Sequence, residues 1–167
     1  MFNSVGVSDS VGTAEFFPVN ADESQNKDIG FSSMFPINPA YTARRQVIVQ
    51  NKVTIPTTTL DTYFVDRKKL PDILWVDVEG AELLVFRGAE NTLRHVSVIH
   101  VEVSFRPMQV GKPLFWEIDF FLRLRGFELL GFPGASRFKS FLVVHRLLPN
   151  LPWRWNAIYG RPRREKN

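Results

Sequence analysis

The chain has 167 residues, of which 44% are hydrophobic and 23% charged, as in a single soluble globular domain. Its formal net charge is +4 and it has no cysteine, which excludes disulfide frameworks, thiolate metal sites and cysteine nucleophiles. The sequence shows neither the roughly 18 consecutive apolar residues of a membrane helix nor the layout of a secretory signal, so we expect a cytoplasmic protein.

The first third of the chain predicts short strands separated by turns. Residues 5–7 and 13–17 flank a Ser-Asp-Ser-Val-Gly turn and are expected to pair as a hairpin. Residues 20–43 are rich in Asn, Asp, Ser, Gly and Pro and show no periodicity, which is typical of a long surface loop. Residues 46–49 and 52–55 follow as β-rich segments.

The middle of the chain alternates between helix and strand. A short helix is predicted over 60–67, capped by the Thr59 hydroxyl and stopped by Pro71. Residues 73–76 are continuously apolar, as expected for a strand covered on both faces. After Gly80 the apolar residues recur at helical spacing, which predicts a helix with one face against a sheet.

A second strand and helix follow. Residues 96–103 predict a buried strand, and residues 114–125 predict a helix that Gly126 closes. Two last strands are expected over 127–132 and 140–145. Two strand–helix units that end in a hairpin predict an α/β sheet with an antiparallel C-terminal edge.

The end of the chain is basic and aromatic, and we divide the sequence into a domain over 1–148 and a tail over 149–167. The tail interleaves Trp153, Trp155 and Tyr159 with Arg154, Arg161, Arg163, Arg164 and Lys166. Such a segment can attract nucleic acid or an anionic membrane. Charged termini are more often solvated, so we expect a solvated tail and do not expect nucleic-acid binding.

Carboxylates concentrate at Asp77-Val78-Glu79-Gly80-Ala81-Glu82, where the buried strand becomes a helix. In open α/β sheets ligands bind at the carboxyl ends of strands, so Asp77 can face a ligand crevice. Asp77 can equally cap the helix, while Glu79 and Glu82 favour its positive end. Residue chemistry alone leaves both interpretations open.

Glu102 ends the next strand and is a second candidate for the same crevice. Together with Asp77 it could do acid–base work, although pairing with Arg106 or contact with solvent is an equally simple outcome. His100 shares a strand face with Glu102, a position where a packed histidine is more common than a catalytic base. No histidine or further acidic loop completes a ligand set, so we do not expect a metal centre.

The residues from Pro71 to Ala89, with Leu60-Asp61 before them, resemble the FkbM-type methyltransferases. The signature is a leucine-aspartate, a strand that ends in Asp-Val-Glu-Gly-Ala-Glu, and a helix that carries arginine, glycine and alanine. The resemblance runs from about residue 3 to about residue 146, and its supporting matches are Val5 to Asp9 with Gly12 and Phe16, Val101-Glu102-Val103 and Gly126-Phe127.

This resemblance implies a class I methyltransferase fold, a seven-stranded α/β sheet that binds S-adenosylmethionine and methylates a hydroxyl of a sugar, glycan or natural product. It places Val5 and Gly6 beside the adenine, Asp77 beside the methyl donor and acceptor, and Glu102 at the border of the acceptor pocket. Glu79 joins Asp77 and Glu102 as a candidate catalytic residue, although it can also be structural.

The sequence departs from the family at its start, because it contains neither the glycine loop after the first strand nor the acidic end of the second. We therefore expect a partial Rossmann-like sheet whose first two strands are missing, and weak or no cofactor binding by this chain alone. The strand at 73–76 would then have an unpaired edge that favours self-association.

Two other functions remain open. The chain can be a non-catalytic remnant or interaction module built on this fold. A more distant alternative is a glycosyltransferase, for which Asp77-Val78-Glu79 only approximates the aspartate-x-aspartate pair.

Overall fold

The computed structural model describes residues 5–25, 29–42, 47–135 and 152–162. The strands in these ranges are β1 (Gly6–Val7), β2 (Gly12–Phe16), β3 (Val53–Thr58), β4 (Ile73–Val76), β5 (Val98–Ser104), β6 (Glu128–Gly131) and β7 (Arg154–Gly160). The helices are α1 (Pro39–Thr42), α2 (Leu60–Phe64), α3 (Glu82–Arg87) and α4 (Phe115–Arg123), with 3₁₀ turns at Ile29–Phe31 and Thr92–Arg94. The fold is therefore mixed α/β.

The smaller sheet has the strand order β1-β3-β2, with β1 parallel and β2 antiparallel to β3. The predicted hairpin between residues 5–7 and 13–17 is therefore wrong, because β3 lies between the two strands. The connecting turn crosses β3 and is fixed to it: Thr57 Oγ1 donates to the Ser10 carbonyl at 3.1 Å. Strand-forming residues reveal that a segment pairs, but they do not reveal its partner.

The larger sheet has the order β4-β5-β7-β6, in which β4 is parallel to β5 and β7 is antiparallel to both of its neighbours. Its antiparallel C-terminal part matches the prediction, but β7 comes from the segment that we expected to be a solvated tail. That expectation is wrong for Arg154–Gly160, where Ala157 and Tyr159 are fully buried. The predicted strand over 140–145 lies outside the described residues.

The main core lies between the larger sheet and helices α3 and α4. Alternate residues of β4, β5 and β7 point into it, and each buried aliphatic or aromatic side chain contributes about 1.5–3 kcal/mol. The fully buried residues of this cluster are Phe86, Ala89, Val96, Ile99, Val101, Val103, Phe115, Ile118, Leu122, Ala157 and Tyr159. Both predicted amphipathic helices are thus confirmed, with shorter bounds than the sequence suggested.

The opposite face of β4 is open in the described structure. Ile73 and Trp75 are 65% and 73% exposed, so the prediction of a strand covered on both faces is wrong here. Trp75 stacks on the ring of His100, with ring centroids 4.1 Å apart, which makes His100 a packing residue. Within the described ranges β4 pairs with β5 alone and leaves its other edge unpaired.

The segment from 20 to 43 is more ordered than a surface loop. In its described part it forms a 3₁₀ turn and α1, and it contributes to a second apolar cluster of Phe31, Tyr41, Ile48 and Met108. The amide group of Gln50 donates to the Phe17 and Phe31 carbonyls and accepts from the Ile37 amide. The polar composition does not reveal this order, because the order depends in part on long-range hydrogen bonds such as those of Gln50.

The remaining differences between prediction and structure concern the residues at which helices begin and end. The Thr59 cap is confirmed, since its hydroxyl accepts from the Thr62 amide at 2.9 Å, but α2 ends at Phe64, well before Pro71. Gly126 follows α4 at φ +80°, as expected for a helix-closing glycine. None of the helices in the described ranges is long and apolar enough to cross a bilayer.

Candidate active site

A cleft of about 360 Å³ lies at the carboxyl end of β4. Four residues named from the sequence line it together, namely Val5, Gly6, Asp77 and Glu79. The rest of the lining is mainly apolar and consists of Val7, Phe16, Ser32, Met34, Ile55, Val78 and Ala81. Glu102 is not among the lining residues, but one of its carboxylate oxygens lies within 4.8 Å of one of Glu79.

The turn between β4 and α3 has an unusual backbone. Glu79 has φ +49°, in the left-handed region that non-glycine residues seldom enter, and Gly80 has φ +115°. The Ser33 hydroxyl donates to the Glu79 carbonyl at 2.6 Å and helps to hold this conformation. Strained backbone of this kind concentrates at functional sites.

The acidic residues near the start of α3 make different contacts. Glu82 is fully buried and its Oε1 accepts from the Gly80 amide at 2.9 Å, so this carboxylate closes the turn. The N-cap position is Ala81, and the cap has no side-chain hydrogen bond. The capping interpretation of Asp77 therefore finds no support, and its exposed carboxylate lies at the cleft instead.

Strand register brings the carboxylates of two strands together. Val76 of β4 pairs with Val101 of β5, so Asp77 and Glu102 come next at the same end of the sheet. Asp77, Glu79 and Glu102 each place an oxygen within 4.8 Å of the others. The sequence analysis named these three residues as candidate catalytic residues, and their carboxylates lie together in the structure.

Arg154 is the counter-ion of this cluster. Its Nη1 donates to Glu79 Oε1 at 3.0 Å and to Glu102 Oε2 at 3.4 Å. Arg154 is the first residue of β7 and lies opposite Ser104, two residues after Glu102 on the neighbouring strand. The suggested pairing of Glu102 with Arg106 is replaced by this contact.

Lys112 is a second cation beside the cluster. It is 5% exposed, and its stem passes so close to Gly80 that a Cβ there would lie 3.1 Å from Lys112 Cδ. Its Nζ is buried and has no hydrogen-bond partner in the described structure. Lys112 lies between the predicted strand at 96–103 and the predicted helix at 114–125, and no local sequence pattern connects it with residue 80.

Burial and mutual repulsion change the proton affinities of these groups. Burial, with the neighbouring charge of Glu102, raises the pKa of Glu79 to about 7, although Arg154 and Lys112 oppose the rise. Burial also raises the pKa of Glu102. Burial lowers the pKa of Arg154, but the charges of Glu102 and Glu79 outweigh it and raise that pKa overall. A carboxylate that titrates near neutral pH is suited to proton transfer.

Three carboxylate oxygens at this spacing could also surround a divalent cation. The Arg154 guanidinium already lies against two of the three carboxylates, and the charge of Lys112 acts on the same two. Two protein cations therefore already balance part of the negative charge of this cluster.

Comparison with known proteins adds a family and a relative. The model of the methyltransferase FkbM domain matches residues 1–129. The 2-O-methyltransferase NoeI of Sinorhizobium fredii is 30% identical over 129 residues, which are 75% of this chain and 51% of that protein. The chain thus spans about half the length of this curated relative. No solved structure gives a significant match.

Proposed function

The chain belongs to the FkbM methyltransferase domain family, and from that premise we propose that it takes part in methyl transfer from S-adenosylmethionine to a hydroxyl oxygen. The observation that carries the proposal is the cleft at the end of β4. It brings Val5 and Gly6, the proposed cofactor contacts, to the same cavity as Asp77 and Glu79.

The residues of the cleft fit a ligand with an apolar part and a charged part. The volume of the cleft, about 360 Å³, lies within the range of small-molecule sites, roughly 300–1,000 Å³. Phe16, Met34 and Ile55 provide apolar surface, while Asp77 and Glu79 provide negative charge. We propose that Val5 and Gly6 hold the adenine side of the cofactor and that Asp77 faces the sulfonium side.

The bound cofactor would supply an electrophilic methyl group: a C–O bond forms to the acceptor, the methyl–sulfur bond breaks with its electron pair left on sulfur, and the hydroxyl proton goes to a base. The protein must therefore orient the hydroxyl and accept its proton. Asp77 is exposed at the cleft and can accept a hydrogen bond from the incoming hydroxyl. Glu102 borders this site from the neighbouring strand.

The acceptor class is proposed from the family. The printed name of NoeI assigns it 2-O-methylation, and we propose a hydroxyl of a sugar, glycan or natural product as the acceptor of this chain. We further propose that the four-stranded sheet is part of a Rossmann-like class I sheet and that the protein acts in the cytoplasm. The whole protein's activity is likewise a proposal, because the chain spans about half of the relative.

A second candidate function is an interaction module without catalysis. The exposed Trp75 and Ile73 and the edge of β4, unpaired within the described ranges, favour it, since such edges and apolar patches invite association, including self-association.

Methyl transfer in the presence of labelled S-adenosylmethionine and a panel of methyl glycosides separates the two functions. We expect the wild-type chain to label a glycoside slowly, in keeping with the weak cofactor binding expected of it. Asp77→Asn should lower the rate by about 10²-fold, because the neutral amide orients the hydroxyl less well than the charged carboxylate. Asp72→Asn, an exposed carboxylate before β4, is the matched control and should keep the wild-type rate. A folded wild-type chain that labels nothing at saturating cofactor would favour the interaction module.

A further inference from the structure

Glu79 is held by parts of the chain that are far apart in sequence. Ser33 fixes its backbone carbonyl at 2.6 Å, and Arg154 of β7 contacts its carboxylate at 3.0 Å. Its backbone is left-handed, with φ at +49°. Of the three clustered carboxylates, it is the one that both lines the cleft and contacts Arg154.

The side chain of Lys112 approaches the acid cluster by passing over the backbone of Gly80. The approach needs a glycine for two reasons: φ is +115°, and a Cβ would lie 3.1 Å from Lys112 Cδ and 3.2 Å from its Cγ. A buried ammonium is costly unless a negative charge or an acceptor is near. The charges that act with it are those of Glu79 and Glu102. The glycine of the Asp-Val-Glu-Gly block thus admits a cation beside the acid cluster.

We propose that Glu79 is the group that accepts the proton of the acceptor hydroxyl. In this proposal Arg154 is a positioning residue that holds the Glu79 carboxylate, and Lys112 is a buried cation whose charge favours the ionised carboxylate. This inference rests on the proposed methyl transfer. One proton passes to Glu79 for each C–O bond formed, and it leaves to solvent afterwards. Asp77 is more exposed and orients the hydroxyl at the mouth of the cleft.

The charged groups around Glu79 shift its pKa in directions that follow from their charge. Glu102 on β5 and Asp77 on its own loop raise its pKa, while Arg154 on β7 and Lys112 before α4 lower it. Glu82 on α3 acts on Glu102. Removal of a neighbouring cation should therefore raise the pKa of Glu79, and removal of a neighbouring carboxylate should lower it.

The first test is a carbon-13 NMR titration of the Glu79 side-chain carboxyl in the chain without cofactor. The wild-type midpoint is expected at about pH 7. Arg154→Met and Lys112→Met should each raise the midpoint, on the order of one pH unit, because an opposing cation is lost. Glu102→Gln should lower it, and Arg154→Lys should stay close to wild type because it keeps the charge.

Lys69→Met is the matched control, since Lys69 is exposed and lies outside the cluster. Thermal unfolding of each variant shows whether it folds; if Arg154→Met does not, Glu102→Gln and Arg154→Lys still carry the comparison. Variants that lose thermal stability but leave the midpoint unchanged would overturn the proposal, since Arg154 and Lys112 would then be structural only.

The second test is the pH profile of kcat/KM for methyl transfer. Its acidic limb should move with the NMR midpoint, upward in Lys112→Met and downward in Glu102→Gln. Methyl transfer with an unmoved limb would overturn the role of Glu79. Absence of methyl transfer in the wild type would instead remove the proposed function, and the NMR titration would still decide whether Arg154 and Lys112 control Glu79.

Discussion

At the scale of single residues, the site depends on a close approach that one glycine allows. Gly80 lets the stem of Lys112 lie against the turn that carries Glu79, and its own φ of +115° disfavours any side chain. The same residue donates its amide to Glu82, which is fully buried. The geometry of the acid cluster is therefore sensitive to a single methyl group.

Gly80→Ala should destabilise the chain by about 1–3 kcal/mol, because the backbone strain adds to the contact with Lys112. Chemical denaturation measures this loss. Gly134→Ala is a suitable control: its φ is +77° but nothing lies within 4 Å of the added Cβ, so it should cost only about 1–2 kcal/mol. Equal losses at the two positions would show that Lys112 does not press on residue 80.

Sequence reasoning identified only part of this site. Asp77, Glu79 and Glu102 stand out because carboxylates follow predicted strands, and the structure does bring them together. Arg154 and Lys112 were missed because their positions depend on pairing with β5 and on packing over Gly80. Both are long-range contacts, which leave no local pattern in the sequence.

At the scale of elements, Asp61 ties α2 to the turn before β5. Its carboxylate accepts from the Asn91 amide at 2.9 Å and from the Thr92 amide and hydroxyl at 2.7 Å each. Burial would raise the pKa of Asp61, but these hydrogen bonds and the charge of Arg94 outweigh it and lower the pKa. The ionised form is thus favoured by folding.

Asp61→Ala should therefore lower the free energy of unfolding at neutral pH by about 2 kcal/mol, since charge-assisted hydrogen bonds are lost. Because the folded pKa lies below the ordinary 3.8, the contribution is present above that pH and disappears as the pH falls through the folded value. Denaturation at pH 7 and at pH 2.5 measures it. Asp66→Ala, an exposed control, should show no such difference. A loss that stays constant with pH would contradict this role.

The elements themselves were largely predictable, while their arrangement was not. The apolar run at 73–76 and the helical spacing after Gly80 correspond to β4 and α3. The prediction of a solvated tail was wrong because the many cations of this segment are typical of an exposed terminus. Its residues nevertheless alternate as in a strand, and Ala157 and Tyr159 face the core. Alternation marks a strand, but it does not say that β7 inserts between β5 and β6.

At the scale of the whole molecule, two clefts of similar size lie in different regions. One is the carboxylate cleft of about 360 Å³ at the end of β4. The other, of about 370 Å³, is lined by Glu90, Leu93, Arg94, Arg125 and Arg161. Arg125 pairs with Glu90, and Arg161 donates to the carbonyls of Val96 and Leu93, so this second cleft is tied together by structural contacts.

We propose that the cofactor binds in the cleft at the end of β4, and backbone amide NMR with S-adenosylhomocysteine measures this directly because it detects even weak binding. We predict saturable shift changes at the amides of Val5, Gly6, Asp77 and Glu79, and none around Arg94 and Arg125. Unchanged spectra at millimolar ligand, or changes confined to the arginine-lined cleft, would contradict the claim.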